Sequence, residues 1–338
     1  MELWTTRVGA VTGMDVVARR AEAAGWDGIT VTDSQNLAPD PFVAITLAAQ
    51  ATERLRFATG VTNAATRHPA ALATVAASVQ EASRGRFVLG IGRGDTALFH
   101  LGRPPMPVQA FTEAVVQVQA YLRGEAVDLD GFESEIRWLS HAAAPKVPLD
   151  VAVSGPRMIA VAATLAERIT FAVGADPARL AWALDLARTA AAGAGREPDE
   201  LSFGAYVNVG AHPDLDTARA LIAGGVAAFA HFSAMPGSTG AGLSQPDRLV
   251  VEAVGARYDS REHLRNDAAH ASVLDGDFVE RFAVIGPPER CIGRIRALGD
   301  LGIERFVVSG PSFGADRDAA SLANRLLVTE VLPGARGA

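Results

Sequence analysis

Glycine alternates with other residues in the segment GIGRGD at positions 90–95, directly after a short apolar run. Glycines in alternate positions let a planar ligand or a phosphate group approach the backbone closely. A structural turn would account for one or two of them, but not for the accompanying Arg93 and Asp95. The spacing is not the G-x-G-x-x-G of dinucleotide-binding domains, which opens a long helix, because Pro104 and Pro105 soon interrupt the segment.

Two aspartates stand just after predicted strands, Asp33 behind the run ITV and Asp95 behind the glycines. A carboxylate in such a place can act as a general acid or base when its surroundings move its pKa. The alternative is that each carboxylate only orients the backbone of its own loop. The residue types leave both interpretations open.

A serine, a proline and an arginine surround the predicted start of a helix in SGPR, at positions 154–157. Unpaired N–H groups at a helix start can bind an anion, together with the hydroxyl of Ser154 and the guanidinium of Arg157. A serine cap followed by proline is the simpler alternative. The motif alone does not decide between them.

Several kinds of chemistry are disfavoured by the composition. Lys146 is the one lysine and follows a proline, which disfavours a Walker phosphate loop and a Schiff-base enzyme. Cys291 is the one cysteine, so an internal disulfide or a cysteine-rich zinc site is excluded. The histidines show no metal-ligand spacing, and His263 and His270 are predicted to share the solvated face of a helix. A G-x-S-x-G serine motif does not occur.

The chain has 338 residues, of which 49% are hydrophobic and 20% charged, as is typical of a globular fold. Its net charge of −7 disfavours a nucleic-acid partner. Its apolar runs are too short to predict a membrane span, and its first residues do not resemble a secretory signal. We therefore expect a cytoplasmic protein.

Short apolar runs alternate with longer alanine-rich stretches along the chain. Eight runs predict buried strands, at 2–6, 28–32, 55–61, 87–91, 149–153, 169–173, 201–209 and 305–309. The stretches between them predict helices, most of which begin with proline, at 14–24, 41–53, 69–82, 156–167, 177–192, 288–301 and 319–331.

Eight β–α alternations favour an α/β fold, a (β/α)8 TIM barrel, over an open doubly wound sheet. The chain shows no long linker, so residues 1–338 are predicted to form a single TIM-barrel domain. A hairpin is predicted at 126–139, around the turn Asp130-Gly131. The long segment 231–277, after the seventh predicted strand, is predicted to be a lid insertion at the face where barrel enzymes carry their chemistry.

Several segments near the predicted strand ends are similar to those of the luciferase-like monooxygenase superfamily. They are GWDGITVTDS (25–34), ATGVTNAATRHPA (58–70), SRGRFVLGIGRGD (83–95) with LGRPP (101–105), VAVSGPRMI (151–159) and VIGPPERCIGRIRALGDLGIERFVV (284–308). The ordered set most resembles the coenzyme F420-dependent branch, and within it the methylenetetrahydromethanopterin-reductase-like group. The resemblance implies a TIM barrel with an insertion after the seventh strand.

The resemblance also implies a cofactor site. The deazaflavin ring would lie at the ends of the third and fourth strands, with a non-prolyl cis peptide at Gly60–Val61. Asp33 matches an acidic position near the pyrimidine edge of the ring. The implied ring-binding residues are Gly60, Val61, Thr62, Arg93, Gly94 and Asp95, and the implied tail-binding residues are Ser154, Gly155, Pro156, Gly174 and Ala175.

The chain departs from the sugar-phosphate dehydrogenases of this family at two positions. Those enzymes have a catalytic histidine where this chain has Ser34, and a glutamate where it has Asp95. A sugar-phosphate substrate is therefore disfavoured. Asp95, Asp33 or a lid residue would then transfer the proton, and Trp4 would either shape the substrate pocket or pack in the core.

The leading hypothesis is a coenzyme F420-dependent oxidoreductase, a reductase or dehydrogenase that moves a hydride between the deazaflavin and a small organic substrate. One alternative keeps the fold but uses FMN, as a luciferase-like monooxygenase. Another is a non-catalytic flavin-binding barrel. The resemblance further implies a homodimer.

Overall fold

The computed structural model describes residues 1–197, 200–235 and 240–337. The strands are β1 (Glu2–Val8), β2 (Gly28–Thr32), β3 (Arg56–Thr59), β4 (Phe87–Ile91), β5 (Val127–Leu129), β6 (Phe132–Ser134), β7 (Leu149–Val153), β8 (Arg168–Phe171), β9 (Ser202–Ala211), β10 (Val284–Gly286) and β11 (Arg305–Ser309). The helices are α1 (Met14–Ala23), α2 (Pro41–Gln50), α3 (Pro69–Ala82), α4 (Thr96–Phe99), α5 (Val108–Leu122), α6 (Pro156–Leu165), α7 (Pro177–Gly193), α8 (Leu215–Ala234), α9 (Gln245–Arg257), α10 (Gly276–Phe282), α11 (Pro288–Gly299), α12 (Arg317–Leu326) and α13 (Leu332–Arg336).

Eight parallel strands close into a barrel, as predicted. The strand order is β10-β9-β11-β1-β2-β3-β4-β7-β8, and β8 also pairs with β9, which closes the ring. β10 is an additional short strand, paired with the last three residues of β9. Helices cover the barrel strands, and in β4 all five residues are apolar or glycine and are buried.

Tertiary contacts divide the chain into two compact units. One comprises residues 6–152 and 165–168, and its core includes Phe57, Phe87 and Leu89. The other comprises residues 1–5, 153–164 and the chain from 169 onward. Its core surrounds α8, whose buried alanines and glycines let neighbouring elements approach closely.

The helix starts predicted at Pro41 and Pro177 and the predicted hairpin are confirmed. The Asp40 side chain accepts hydrogen bonds from the first turn of α2, and Asp176 does the same for α7, each with proline as the first helical residue. β5 and β6 form the antiparallel hairpin. Asp130 and Gly131 at its turn have φ of 53° and 88°, which glycine and aspartate tolerate better than most residues.

The region after α9 differs from its prediction. The predicted helix through His263 and His270 is wrong: a 3-10 turn at Ser260–Glu262 is followed by turns. Leu264 has a φ of 64°, which ends any helix at this point. The predicted insertion 231–277 includes the end of α8, all of α9 and the first residues of α10, while its residues 236–239 lie outside the described residues.

The Glu22 side chain links the end of α1 to the residues just before β3. Its Oε1 accepts hydrogen bonds from the backbone N–H groups of Glu53, Arg54 and Leu55, at 3.1, 2.6 and 2.9 Å. Burial raises the pKa of Glu22, but these bonds outweigh burial and hold the pKa below its usual value. The ionised carboxylate therefore stabilises the fold.

We expect Glu22→Gln to lower the free energy of unfolding at neutral pH by about 1 kcal/mol, allowing for solvent screening. A depressed folded-state pKa gives stability above the unfolded pKa, and this stability is lost as the pH falls through the folded pKa. The difference between the two proteins should therefore shrink as the pH falls through the folded-state pKa of Glu22 and disappear below it. Urea denaturation at neutral pH and at a series of acidic pH values measures it, and a difference that does not change with pH would contradict this role.

Candidate active site

The ends of β3 and β4 approach each other closely because Gly90 has no side chain. A Cβ at this position would lie 2.0 Å from the carbonyl oxygen of Thr59. The Gly90 carbonyl oxygen accepts hydrogen bonds from Thr59 Oγ1 at 2.6 Å and from Thr62 N at 2.9 Å. The Gly60–Val61 peptide between these two threonines is cis, as the resemblance implied.

The segment Arg93-Gly94-Asp95 continues from this strand pair as a fixed turn. Arg93 Nε donates to the Met106 carbonyl at 2.5 Å, and Met106 N donates back to the Arg93 carbonyl at 3.0 Å. Gly94 has a φ of 74°, and a Cβ there would meet Leu98 at 3.0 Å. Asp95 is half-buried and precedes the short helix α4, but its side chain does not cap that helix.

Asp33 is almost completely buried and is held by two donors. Its Oδ2 accepts hydrogen bonds from Thr62 Oγ1 and from Arg67 Nη1, both at 2.6 Å. Arg67 Nη2 extends the network to Asp40, the cap of α2, at 2.7 Å. Burial lowers the pKa of Arg67, but the two carboxylates more than compensate and raise it. Asp33 thus links the end of β2 to side chains of the loop after β3, rather than to the backbone of its own loop.

Arg67 and Asn63 are functional candidates that sequence reasoning missed. Asn63 is buried, and its Oδ1 accepts hydrogen bonds from Ala65 N and from the backbone and hydroxyl of Thr66. Both candidates lie in the segment ATGVTNAATRHPA, and the polar residues of that segment were the available signal. They fix the loop that follows the cis peptide.

Ser154, Gly155 and Pro156 form the turn from β7 into α6. The Ser154 hydroxyl donates to the carbonyl oxygen of Phe232, near the end of α8, at 3.0 Å. Pro156 is the first residue of α6, and the Gly155 carbonyl accepts from Ile159 N at 3.0 Å. The predicted helix therefore begins at this turn, and the Ser154 hydroxyl contacts α8.

Gly174 and Ala175, at the end of β8, are buried beneath Phe282. Gly174 has a φ of 84°, and a Cβ there would lie 2.7 Å from the Phe282 ring. Ala175 N donates to the Phe282 carbonyl at 2.8 Å, and the Ala175 carbonyl accepts from Arg294 Nη2 at 3.0 Å. Both residues thus contribute backbone to a tightly packed turn.

Arg179, in the first turn of α7, is a buried cation that the sequence did not indicate. Its side chain has 0% exposure, and its Nη1 donates to the carbonyl of Val173 at 3.0 Å and to Ser233 Oγ at 2.9 Å. Burial lowers the pKa of Arg179 to about 10, so it remains protonated at neutral pH. Within the part of the chain that the structure describes, its Nε and Nη2 have no hydrogen-bond partner.

Trp4 packs in the core, one of its two predicted alternatives. It is 1% exposed, and its Nε1 donates to Glu2 Oε2 at 2.9 Å. Trp4 is paired with Val307 of the adjacent strand β11. Trp4 thus belongs to the packing of the first strand rather than to the strand ends.

Three histidines, one on α8 and two in the turns after α9, contact Tyr258, an arrangement that the sequence did not indicate. The His231 ring stacks on Tyr258 at 3.8 Å, His270 lies 4.3 Å from it, and the Tyr258 hydroxyl is hydrogen-bonded to His263 Nδ1. Burial, followed by the proximity of His231, lowers the pKa of His270. Across the described residues, no group of His, Cys, Asp and Glu side chains is arranged to hold a metal ion.

Taken together, the strand ends offer glycine-lined backbone, a fixed Arg93-Gly94-Asp95 turn and a buried aspartate. A profile of the luciferase-like monooxygenase family matches residues 9–305. The chain belongs to this family. The match includes β2, β3 and β4 with the turns described above, so the family assignment and the sequence resemblance rest on the same segments.

Two relatives and one solved structure illustrate the family. The 5,10-methylenetetrahydromethanopterin reductase of Methanolobus tindarius is 28% identical over 314 residues, which is 90% of this chain and 91% of that protein. The F420-dependent glucose-6-phosphate dehydrogenase of Microbacterium testaceum is 29% identical over 217 residues, 59% of this chain and 64% of that protein. The coenzyme F420-dependent tetrahydromethanopterin reductase of Methanopyrus kandleri superposes with a TM-score of 0.73 at 22% identity, covering 98% of each chain, and so shares the barrel fold.

None of the helices within the described residues is both long enough and apolar enough to span a membrane.

Proposed function

We propose that this protein is a coenzyme F420-dependent oxidoreductase. The observation that carries the proposal is the close approach of β3 and β4 at Gly90, followed by the fixed Arg93-Gly94-Asp95 turn, at the strand ends where barrel enzymes carry their chemistry. The F420-dependent glucose-6-phosphate dehydrogenase of Microbacterium testaceum, which is 29% identical over 59% of this chain, supports a deazaflavin rather than FMN as the ring. The substrate is a small organic molecule with a C=N or another unsaturated bond.

The joined ends of β3 and β4, with the Arg93-Gly94-Asp95 turn, offer such a cofactor backbone and polar groups. The ring would contact Gly60, Val61, Thr62, Arg93, Gly94 and Asp95. The ribityl-phosphate tail would contact Ser154, Gly155, Pro156, Gly174 and Ala175. When bound, the deazaflavin supplies a carbon that accepts or donates a hydride.

The chain's own groups then have distinct tasks. Asp95, half-buried and not used as a helix cap, exchanges the proton that accompanies the hydride. Asp33 orients Thr62 and Arg67 beside the ring, because two donors already hold its Oδ2. The described residues of the predicted insertion, 231–235 and 240–277, would cover the substrate.

Fluorescence titration with coenzyme F420 and, separately, with FMN tests the proposal. Binding of coenzyme F420 in preference to FMN supports it, as does reversible bleaching of the deazaflavin absorbance on addition of a substrate. A protein that binds FMN and consumes oxygen would be a luciferase-like monooxygenase instead. Binding of neither cofactor would favour a non-catalytic barrel.

We also propose that the protein is a cytoplasmic homodimer. Val16 on α1, and Val43 and Leu47 one turn apart on α2, are exposed apolar side chains on two helices that pack together. Exposed apolar surface of this kind is typical of a protein interface.

Light scattering after gel filtration should give a mass twice the chain mass of 35.2 kDa, and Leu47→Glu should reduce the measured mass to that of one chain. Cell fractionation tests the location.

A further inference from the structure

The last turn of α8 contacts two donors at the ends of neighbouring barrel strands. Ser154 Oγ, after β7, donates to the Phe232 carbonyl at 3.0 Å. Arg179 Nη1, after β8, donates to Ser233 Oγ at 2.9 Å. Phe232 and Ser233 are consecutive residues, so one helical turn engages both donors. Ser154 is also one of the residues to which the proposed function assigns the cofactor tail.

Arg179 carries a charge that no carboxylate in the described chain neutralises by a hydrogen bond. Asp176 is nearby, but its Oδ1 accepts from the backbone N–H groups of Ala178 and Arg179 as the cap of α7. Asp247 is also nearby, but it is paired with Arg281. The guanidinium instead lies over the Phe282 ring, with Cζ 5.7 Å from the ring centroid. A buried cation without a bonded anion is costly, so this position favours an anionic ligand.

The end of α8 is a weak substitute for such an anion. Helix carboxyl ends carry a partial negative charge, which suits a neighbouring cation. The Ser233 hydroxyl donates its proton to the Phe229 carbonyl at 3.0 Å, so towards Arg179 it acts as an acceptor. A neutral hydroxyl oxygen binds a guanidinium less strongly than a phosphate oxygen does. A phosphate that reached Arg179 would therefore displace Ser233.

We propose that Arg179 binds the phosphate of the cofactor tail, and that the last turn of α8 occupies Arg179 and Ser154 until the tail arrives. This inference rests on the proposed function. The complete burial of Arg179 is consistent with it, since the guanidinium becomes accessible only when Ser233 moves away. Tail binding would then move the last turn of α8. Because His231 of α8 stacks on Tyr258, the contacts around Tyr258 would change as well.

Two substitutions with opposite expected effects test the inference by fluorescence titration. Ser233→Ala removes the competing acceptor, so affinity for coenzyme F420 should rise about three- to tenfold. Arg179→Met removes the cation, so affinity should fall on the order of 10- to 100-fold. Arg179→Lys keeps the charge but loses the planar guanidinium with its several donors. Its affinity for coenzyme F420 should therefore lie between those of the wild type and Arg179→Met.

A matched ligand separates tail binding from folding. The riboflavin-level deazaflavin has the same ring and ribityl chain but lacks the phosphate. Its affinity should be unchanged in all three variants, which also shows that the barrel still folds. In hydrogen exchange of the wild type, amides at 230–235 should exchange faster with coenzyme F420 bound, and not with the phosphate-free ligand.

The outcomes distinguish this inference from the proposed function. If the wild type binds both deazaflavins but Ser233→Ala weakens coenzyme F420 binding, Ser233 does not compete with the tail and the inference is wrong. If Arg179→Met weakens both ligands equally, Arg179 is a structural residue. If the wild type binds neither deazaflavin, the proposed function fails and this inference fails with it.

Discussion

Asp95→Asn should lower the turnover number by about 10²- to 10⁴-fold, the usual contribution of a positioned general acid or base. Asparagine keeps the shape of the side chain but cannot exchange a proton. The turn around it is fixed by the two bonds between Arg93 and Met106, so the substitution should leave the backbone in place. Affinity for coenzyme F420 should therefore stay within about threefold of the wild-type value, well under one typical hydrogen bond. Stopped-flow bleaching of the deazaflavin measures the first quantity, and titration measures the second.

Asp130→Asn is the matched control. It makes the same chemical change in the exposed turn between β5 and β6, where asparagine also tolerates a φ of 53°. Its turnover should equal that of the wild type. Wild-type turnover in Asp95→Asn would remove Asp95 from the proton transfer. An equal loss of turnover and of cofactor affinity would make Asp95 a binding residue instead.

The barrel could be predicted because its signals are local. β2, β4, β7 and β11 have the bounds predicted from their apolar runs, because strands covered on both faces must be apolar throughout. The helix starts at Pro41 and Pro177 follow from a capping aspartate before a proline. Predicted strand 55–61 ends early, at Thr59, although Thr62 still pairs with Ile91 of β4.

The contacts that complete the candidate site are not local, so the sequence could not indicate them. Arg67 pairs with Asp33 across 34 positions, and Arg179 meets Ser233 across 54. No periodicity links residues so far apart, because only the packing of neighbouring strands and helices brings them together. The same holds for His231 of α8 and Tyr258, which directly follows α9.

The wrong helix prediction around His263 has a related cause. Its apolar and polar residues fit a helical period, yet the segment is held by contacts with other elements. Asn266 Nδ2 donates to the Ala220 carbonyl of α8 at 2.6 Å, and Asn266 N donates to the Phe313 carbonyl at 2.9 Å. These tertiary bonds outweigh a weak local helix propensity.

Among glycine-to-alanine substitutions in the candidate site, Gly90→Ala should lower the stability of the protein most. The added Cβ would lie 2.0 Å from the Thr59 carbonyl oxygen, which is backbone, so no side-chain rotation relieves the contact. We expect a loss of stability larger than the roughly 1–3 kcal/mol typical of an overpacked core. Because β3 and β4 must separate, the surface proposed to hold the ring changes as well. Coenzyme F420 binding should be lost even at temperatures where the variant remains folded.

Gly293→Ala provides the control for this substitution. Gly293 lies within α11, and a Cβ there would have no neighbour within 4 Å. Alanine is favoured over glycine inside a helix by about 1 kcal/mol, so this variant should be at least as stable as the wild type. Calorimetry and cofactor titration on the two variants compare one methyl group at the strand ends with one on the surface. A wild-type melting temperature and affinity in Gly90→Ala would mean that β3 and β4 tolerate a side chain between them, and the ring site would then have to lie elsewhere.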